Sequence, residues 1–260
     1  MRTIFLAFIF MTGLFAEEID LSQYEKSFYS QNGEDGVLAK IFQLIGPRSR
    51  FCVEFGAYDG VTGSNTHFLR LQGWNCLLLD RTFEIPELFL YREFITAENI
   101  TEIFDKYNVP FDLDLLSIDI DYNDFYVWKE IDEKYHPAVV LIEVNATHVP
   151  SEDKVAKYHP FFSGDSTNYY GASILALYHL GKAKGYSLVY AEKAGVNLFF
   201  IRDDILKEKN LQFKDMNDVQ RLYRYPTYGR GPNGGHRDDP KKRKYLTSKE
   251  ILASDGLYIK

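Results

Sequence analysis

Short apolar segments alternate with segments of helical periodicity along most of this chain. The apolar segments are rich in β-branched and aromatic residues, and they predict five strands, at residues 51–55, 75–80, 93–97, 114–119 and 138–143. Helices are predicted at residues 65–71, 100–107, 124–135 and 172–184, after an earlier helix that ends at Gly46 and Pro47. This alternation predicts an α/β fold with helices on both faces of a largely parallel sheet.

The alternation ends differently from the way it begins. Residues 186–192 and 196–201 are two further apolar segments, and only Lys193-Ala194-Gly195 separates them. So short a connection predicts a hairpin, which makes one of the last two strands antiparallel to the rest. The 260 residues of the chain are enough to bury one full α/β core with a short appendage.

A glycine turn follows the first predicted strand, within Phe51-Cys52-Val53-Glu54-Phe55-Gly56-Ala57-Tyr58-Asp59-Gly60. The second predicted strand ends in Asp80. In an open α/β sheet these two features lie side by side at the carboxyl ends of adjacent strands. There the glycine allows a ligand to approach the backbone, and the acid can accept hydrogen bonds from ribose hydroxyls. The nicotinamide fingerprint G-x-G-x-x-G is absent from this turn.

The ends and the charge of the chain limit its partners. Residues 1–16 combine Arg2, a short apolar segment and Ala16 before two acids, which is typical of an export signal. The alternatives are an uncleaved N-terminal anchor, through which alone the protein would contact a membrane, or a buried first helix. The expected location is exported (periplasmic, secreted or secretory-pathway lumen) if the signal is used, and otherwise cytoplasmic. The net charge of −7 argues against nucleic-acid binding.

We divide the remaining chain into an N-terminal segment with a capping helix (17–49), a catalytic-type domain (50–205) and a basic, aromatic C-terminal tail (206–260). The tail is interpreted either as a lid over the strand ends that attracts an anionic or sugar acceptor, or as a flexible solvated segment, with the second preferred. The two cysteines, Cys52 and Cys76, lie on neighbouring predicted strands. They are expected to be buried free thiols.

The glycine turn, E-x-G-x-x-D-G, resembles the first motif of S-adenosylmethionine (SAM) methyltransferases. Residues 117–124, S-I-D-I-D-Y-N-D, resemble the segment K-I-D-V-E-G-A-E that ends strand four in FkbM-type methyltransferases. A branch of that family carries S-Q-x-G-E-D and S-I-D-I-D-G-x-D, and the chain is similar to it, in the same order, at residues 30–35, 53–60, 97–100 and 142–145. The resemblance covers roughly residues 28–205. It implies a Rossmann-like methyltransferase fold with seven strands in the order 3-2-1-4-5-7-6, the last antiparallel.

The same resemblance implies SAM as cofactor and O-methylation of a sugar, glycan or other small polar hydroxyl acceptor. Cofactor-binding roles fall on Gln31, Glu54, Gly56, Ala57, Tyr58, Asp80, Glu98, Asn99 and Asp119. Among these, Glu54 would bind the SAM ammonium, Asp80 the ribose, and Glu98 with Asn99 the adenine amino group. Glu54, Glu98 and Asn99 have an alternative as helix-capping residues, and residues 30–35 could cap a helix or form a lid over the cofactor.

Catalytic roles are predicted for Asp119 and Asp121, one of which could take the proton of a hydroxyl acceptor, and for His148, whose preferred alternative is a surface histidine. Methyl transfer is an in-line displacement, so the protein mainly aligns the acceptor with the sulfonium. Acidic and amide oxygens at the ends of predicted strands four and five could hold Mg²⁺ or Ca²⁺, but they form no compact ligand motif, so no metal ligand is assigned.

One residue departs from the family pattern. Tyr122 stands where the branch has glycine, and a positive φ there would strain a tyrosine by about 1 kcal/mol or more. SAM is moreover a cytosolic metabolite, whereas the chain begins like an exported protein. The alternative function is therefore a non-catalytic exported binding protein that retains the methyltransferase fold.

Overall fold

The computed structural model describes residues 18–162, 164–232 and 234–254. Its strands are β1 (Phe51–Phe55), β2 (Asn75–Asp80), β3 (Leu90–Arg92), β4 (Leu115–Ile118), β5 (Val139–Glu143), β6 (Tyr186–Ala191) and β7 (Asn197–Arg202). Its helices are α1 (Glu34–Ile45), α2 (His67–Leu71), α3 (Ile100–Lys106), α4 (Asp124–Glu130), α5 (Ile174–Ala183), α6 (Asp203–Lys209), α7 (Val219–Leu222) and α8 (Ser248–Ser254). Single 3₁₀ turns occur at Leu21–Gln23 and Pro86–Leu88.

The strands form one seven-stranded sheet in the order β3-β2-β1-β4-β5-β7-β6. Strands β1 to β5 pair in parallel, and β7 pairs antiparallel with both β5 and β6. The predicted order and the closing hairpin are therefore confirmed. Chain direction reverses at β7 because the short connection after β6 leaves no room for a crossover helix.

The third strand lies earlier than predicted, at Leu90–Arg92 in place of residues 93–97. The predicted residues instead form a turn that Asn99 closes. Its Oδ1 accepts a hydrogen bond from the Thr96 amide at 2.8 Å, and its Nδ2 donates to the Phe94 carbonyl at 2.8 Å. The apolar residues Phe94 and Ile95 predict a strand, whereas side-chain hydrogen bonds of Asn99 hold the backbone in a turn.

Each face of the sheet buries its own apolar cluster, because successive side chains of a strand point to opposite faces. Val53 and Phe55 of β1 pack on the side that carries Phe104 of α3 and Trp128 of α4. Cys52 of β1 packs on the other side, together with α1 and α6. The sheet is thus covered on both faces, as expected for a parallel α/β fold.

Cys52 and Cys76 form a disulfide, so the expectation of two free thiols is wrong. The two residues are direct register partners on β1 and β2, with their Cα atoms 4.5 Å apart. Because both side chains point to the same face, this spacing brings the sulfur atoms together. The sequence placed the cysteines on neighbouring strands, but the exact register that pairs them is a tertiary property.

The C-terminal segment packs against the rest of the molecule. Leu222 of α7 and Leu252 of α8 are each 2% exposed and belong to the same core cluster as α3 and α4. Arg243, in the basic segment Lys241-Lys242-Arg243-Lys244, forms ion pairs with Asp165 and Asp239. The preferred interpretation of this segment as a flexible solvated tail is therefore wrong for these residues.

The predicted signal or anchor at residues 1–16 lies outside the described residues. Within the part of the chain that the structure describes, no helix has the length and apolar character needed to cross a membrane.

Candidate functional site

A cleft of about 430 Å³ opens where β1, β2 and β4 end. Gly56 follows β1, Asp80 ends β2 and Asp119 follows β4, and all three residues line the cleft. In the sheet, β2 and β3 lie on one side of β1, and β4 lies on its other side. The cleft is therefore at the topological switch point, where the strand order reverses. Ligands of open α/β sheets bind at such points, and the volume is in the range of ordinary ligand sites.

Gly56 allows the turns after β1 and β4 to meet. Its φ is +65°, and a Cβ atom built on it would lie 1.8 Å from the Asp119 carbonyl oxygen. Only glycine fits this position, because any other side chain would displace the end of β4. Tyr58, two residues on, also has a left-handed backbone, with φ 47°, and its side chain is 53% exposed at the cleft.

Asp80 organises the floor of the cleft through its carboxylate. Its Oδ2 accepts a hydrogen bond from the Tyr58 amide at 3.0 Å. Its Oδ1 accepts from the amides of Thr82 at 2.7 Å and Phe83 at 3.0 Å. A carboxylate has about four acceptor positions, so a ligand hydroxyl can still bind beside these three amides.

Glu54 does not line the cleft. It is 4% exposed, and its carboxylate accepts from the Asn65 amide at 2.7 Å and the Ser64 hydroxyl at 2.7 Å, as well as from the Thr66 hydroxyl. Burial raises the pKa of Glu54, while the hydroxyl hydrogen bonds act in the opposite direction. The geometry is that of the helix-capping alternative, in which the acid fixes the segment that leads into α2.

The structure does not bring four other predicted cofactor residues into the lining of the cleft: Gln31, Ala57, Glu98 and Asn99. Gln31 is exposed, and Ala57 is buried with its amide donating to the Leu79 carbonyl. Glu98 accepts from the Tyr158 hydroxyl, and Asn99 closes the turn after β3.

The segment at residues 30–35 follows the capping alternative. Asp35 accepts hydrogen bonds from three consecutive amides, those of Phe28, Tyr29 and Ser30. Its neighbour Glu34 is fully buried and accepts from the side chain of Asn197 at 2.9 Å. These carboxylates are used inside the protein to fold the entry into α1.

Two acids predicted to be catalytic, Asp119 and Asp121, line the cleft together. Burial raises the pKa of Asp119, and the charges of neighbouring carboxylates, Asp121 first, act in the same direction. Burial also raises the pKa of Asp121, although Arg81 opposes this. Asp121 is the more exposed of the two, so it is the acid that a bound acceptor would meet first.

Tyr122 is not strained, contrary to the concern raised by its place in the motif. The left-handed residue of this turn is Asp121, with φ 68°. Tyr122 is 4% exposed and lies away from the lining, with its hydroxyl donating to the Lys157 carbonyl at 2.9 Å and its ring against Phe162 at 4.8 Å. Because aspartate tolerates positive φ better than most residues, the turn forms without a glycine.

His148 lies outside the cleft lining, so the structure does not place it with the other predicted catalytic residues. It is 3% exposed, and its ring packs edge-on against Tyr245 at 4.7 Å. Burial lowers its pKa to about 4, so the imidazole is neutral at pH 7.

Aromatic residues form walls of the cleft that the sequence analysis did not identify. Phe83 and Phe94 line it, and Phe162 and Pro160 contribute from the segment between β5 and α5. Phe83 packs edge-on against Tyr58 at 4.5 Å, and Phe94 stacks on Phe161 at 6.0 Å. Such rings suit the flat apolar face of a nucleobase. The only signal in the sequence is the Pro160-Phe161-Phe162 cluster, in a segment without periodicity.

A second acidic group adjoins the cleft. Asp119, Asp124 and Glu143 each offer an oxygen within 4.8 Å of the others. Burial raises the pKa of both Asp124 and Glu143 well above the usual range, and the charge of Asp119 adds to the effect. Asn145 and His148, which follow β5 after Glu143, are not part of this group. The Asn145 side chain instead donates to the carbonyls of Asn168 and Tyr170.

Comparison with known proteins adds no assignment. Neither the models of protein families nor the curated proteins give a match to this chain.

Proposed function

We propose that the cleft binds SAM and that the protein transfers its methyl group to an oxygen of a sugar or other polar hydroxyl acceptor. The observation that carries this proposal is the position of the cleft. It lies where β1, β2 and β4 end, in a sheet whose last strand is antiparallel, and it has Asp80 on its floor. Site and topology agree with the FkbM-type resemblance of the sequence.

The residues of the cleft fit most of the cofactor. Asp80 would accept hydrogen bonds from the ribose hydroxyls, and Phe94 with Ile95 would contact the adenine. Gly56 lets the backbone approach the amino-acid moiety. Glu54 does not fit the predicted contact with the ammonium, because its carboxylate is held by residues 64–66.

When bound, SAM supplies an electrophilic methyl group. The chain has three tasks, which are to hold the acceptor in line with that group, exclude water and remove one proton. Asp121 is placed to remove the proton, because it lines the cleft and is exposed to an incoming hydroxyl. Phe162, from the β5–α5 segment, and Phe94, from the β3–α3 segment, line the cleft and would restrict the access of water to it.

The test is calorimetric titration of the full chain with SAM. We expect micromolar binding by the wild type and at least about tenfold weaker binding by Asp80→Asn, because an amide accepts ribose hydrogen bonds less well than a carboxylate. Glu84→Gln is the matched control, since this exposed acid lies four residues further on and does not line the cleft. No heat at millimolar SAM, or equal affinity of Asp80→Asn, would contradict the proposal.

Two observations favour the alternative of a non-catalytic exported binding protein. The Cys52–Cys76 disulfide is typical of oxidising compartments, where SAM is scarce. Glu54 is also unavailable to the ammonium. This alternative predicts a ligand in the same cleft but no S-adenosylhomocysteine formed from SAM with any hydroxyl acceptor.

A further inference from the structure

Three carboxylates come together where β4 and β5 end. Asp119 follows β4, Asp124 is the first residue of α4, and Glu143 is the last residue of β5. One oxygen of each lies within 4.8 Å of the others. Three different elements therefore converge on one point, and the sequence analysis did not identify Asp124 as part of it.

Two of these carboxylates have an oxygen without a partner. Asp124 is 1% exposed, and its Oδ1 accepts from the Ile120 amide at 2.8 Å. Within the part of the chain that the structure describes, the buried Oδ2 of Asp124 and the buried Oε2 of Glu143 have no hydrogen-bond partner. Buried polar atoms are nearly always paired, so each of these two oxygens requires an explanation.

The three carboxylates also repel one another, because one oxygen of each lies within 4.8 Å of the others. Like charges this close and this buried strongly disfavour ionisation of all three. A bound cation would pair the orphaned oxygens and offset the repulsion together.

We propose that Asp119, Asp124 and Glu143 hold a divalent cation of the hard, oxygen-binding class. The site offers carboxylate oxygens and no sulfur or imidazole, which suits Ca²⁺, Mg²⁺ or Mn²⁺. Two oxygens on opposite sides of Ca²⁺ are roughly 4.6–5.2 Å apart, and on opposite sides of Mg²⁺ roughly 4.0–4.2 Å. Because the three oxygens all lie within 4.8 Å of one another, either ion can be held between them.

The cleft is the route of entry, because Asp119 lines it. A cation bound behind Asp119 would have coordination positions left for water or for oxygens of a ligand in the cleft. Such a cation would bind the oxygen of a hydroxyl acceptor and lower the pKa of that hydroxyl. This second role rests on the proposed methyl transfer. The cation site itself does not depend on that reaction.

The experiment is thermal unfolding of the full chain after removal of metals by chelation, with CaCl₂, MgCl₂ or MnCl₂ then added. We expect the melting temperature to rise by roughly 5–10 °C when the concentration of the divalent cation is about a hundred times its dissociation constant. NaCl at matched ionic strength should not produce the rise. Glu143→Gln and Asp124→Asn should abolish it, whereas Glu102→Gln, an exposed acid on α3, should retain it.

The two variants should fold, because neutralising one carboxylate removes repulsion from the cluster. A direct measurement on the wild type makes the result independent of them: electron paramagnetic resonance should show one bound Mn²⁺ per chain, displaced by Ca²⁺. The inference is overturned if none of the three ions binds at 10-fold excess over millimolar protein, or if binding persists unchanged in both variants. Loss of SAM binding with retained metal binding would contradict the proposed function alone.

Discussion

Single residues at the strand ends decide what this site can accommodate. Gly56, Asp80 and Asp119 were identified from the sequence because each follows or ends a predicted strand, and the sheet brings them to one cleft. Asp124 and the wall residue Phe162 were not, because their position depends on how α4 and the β5–α5 segment pack. The left-handed φ at Asp121 was expected one residue later, since a motif gives the presence of a turn more securely than its exact conformation.

The close approach at Gly56 can be tested by substitution. We expect Gly56→Ala to lower the free energy of unfolding by roughly 2 kcal/mol more than Gly46→Ala, because only the first puts a Cβ atom against a carbonyl oxygen. Gly46 is the matched control. Its φ is +74°, close to the +65° of Gly56, but nothing lies within 4 Å of the added atom. Equal losses in chemical denaturation would show that the turns do not meet as described.

His148 gives the protein a pH-dependent stability. Its pKa is about 4 in the folded protein and 6.5 for an unperturbed histidine, so the unfolded state takes up the proton first as the pH falls. The free energy of unfolding should therefore decline from about pH 6.5 towards pH 4, by up to about 3 kcal/mol. Denaturation curves across this range measure the effect.

His148→Gln should flatten this part of the pH profile, whereas His136→Gln, at an exposed histidine, should leave it as in the wild type. An unchanged slope in His148→Gln would contradict the assignment of a buried neutral imidazole.

At the scale of elements, the periodicity of the sequence predicted most strands and helices, and the hairpin predicted the direction of β7. The predicted position of the third strand is wrong because Asn99 turns the backbone after β3. Helix α4 ends at Glu130, although the helical pattern of the sequence extends to residue 135. The pairing of β1 with β2 in a register that joins Cys52 to Cys76 could not be predicted, because adjacent parallel strands can pair in several registers.

The disulfide between β1 and β2 should contribute to stability through the 24-residue separation that it closes. We expect the double variant Cys52→Ala, Cys76→Ala to lose about 3 kcal/mol of unfolding free energy, mainly because its unfolded state is less constrained. The wild type measured with reductant should approach the same value. Two reactive thiols per chain in protein denatured without reductant would contradict the pairing.

On the scale of the whole molecule, a two-layered core fixes the sheet, and residues 206–254 complete the core through Leu222 and Leu252. No periodic signal in the sequence predicts this packing, because α7 and α8 are short and lie among polar residues. The resulting architecture leaves a cleft at the switch point of the sheet with acids on its rim. The proposed function depends on a nucleoside binding there.

The most direct test of that claim is a crystal structure of the full chain with S-adenosylhomocysteine. We expect the ribose hydroxyls within hydrogen-bond distance of the Asp80 carboxylate, the adenine beside Phe94, and the sulfur facing Asp119 and Asp121. A nucleoside bound elsewhere, or density absent from the cleft at saturating ligand, would contradict the account.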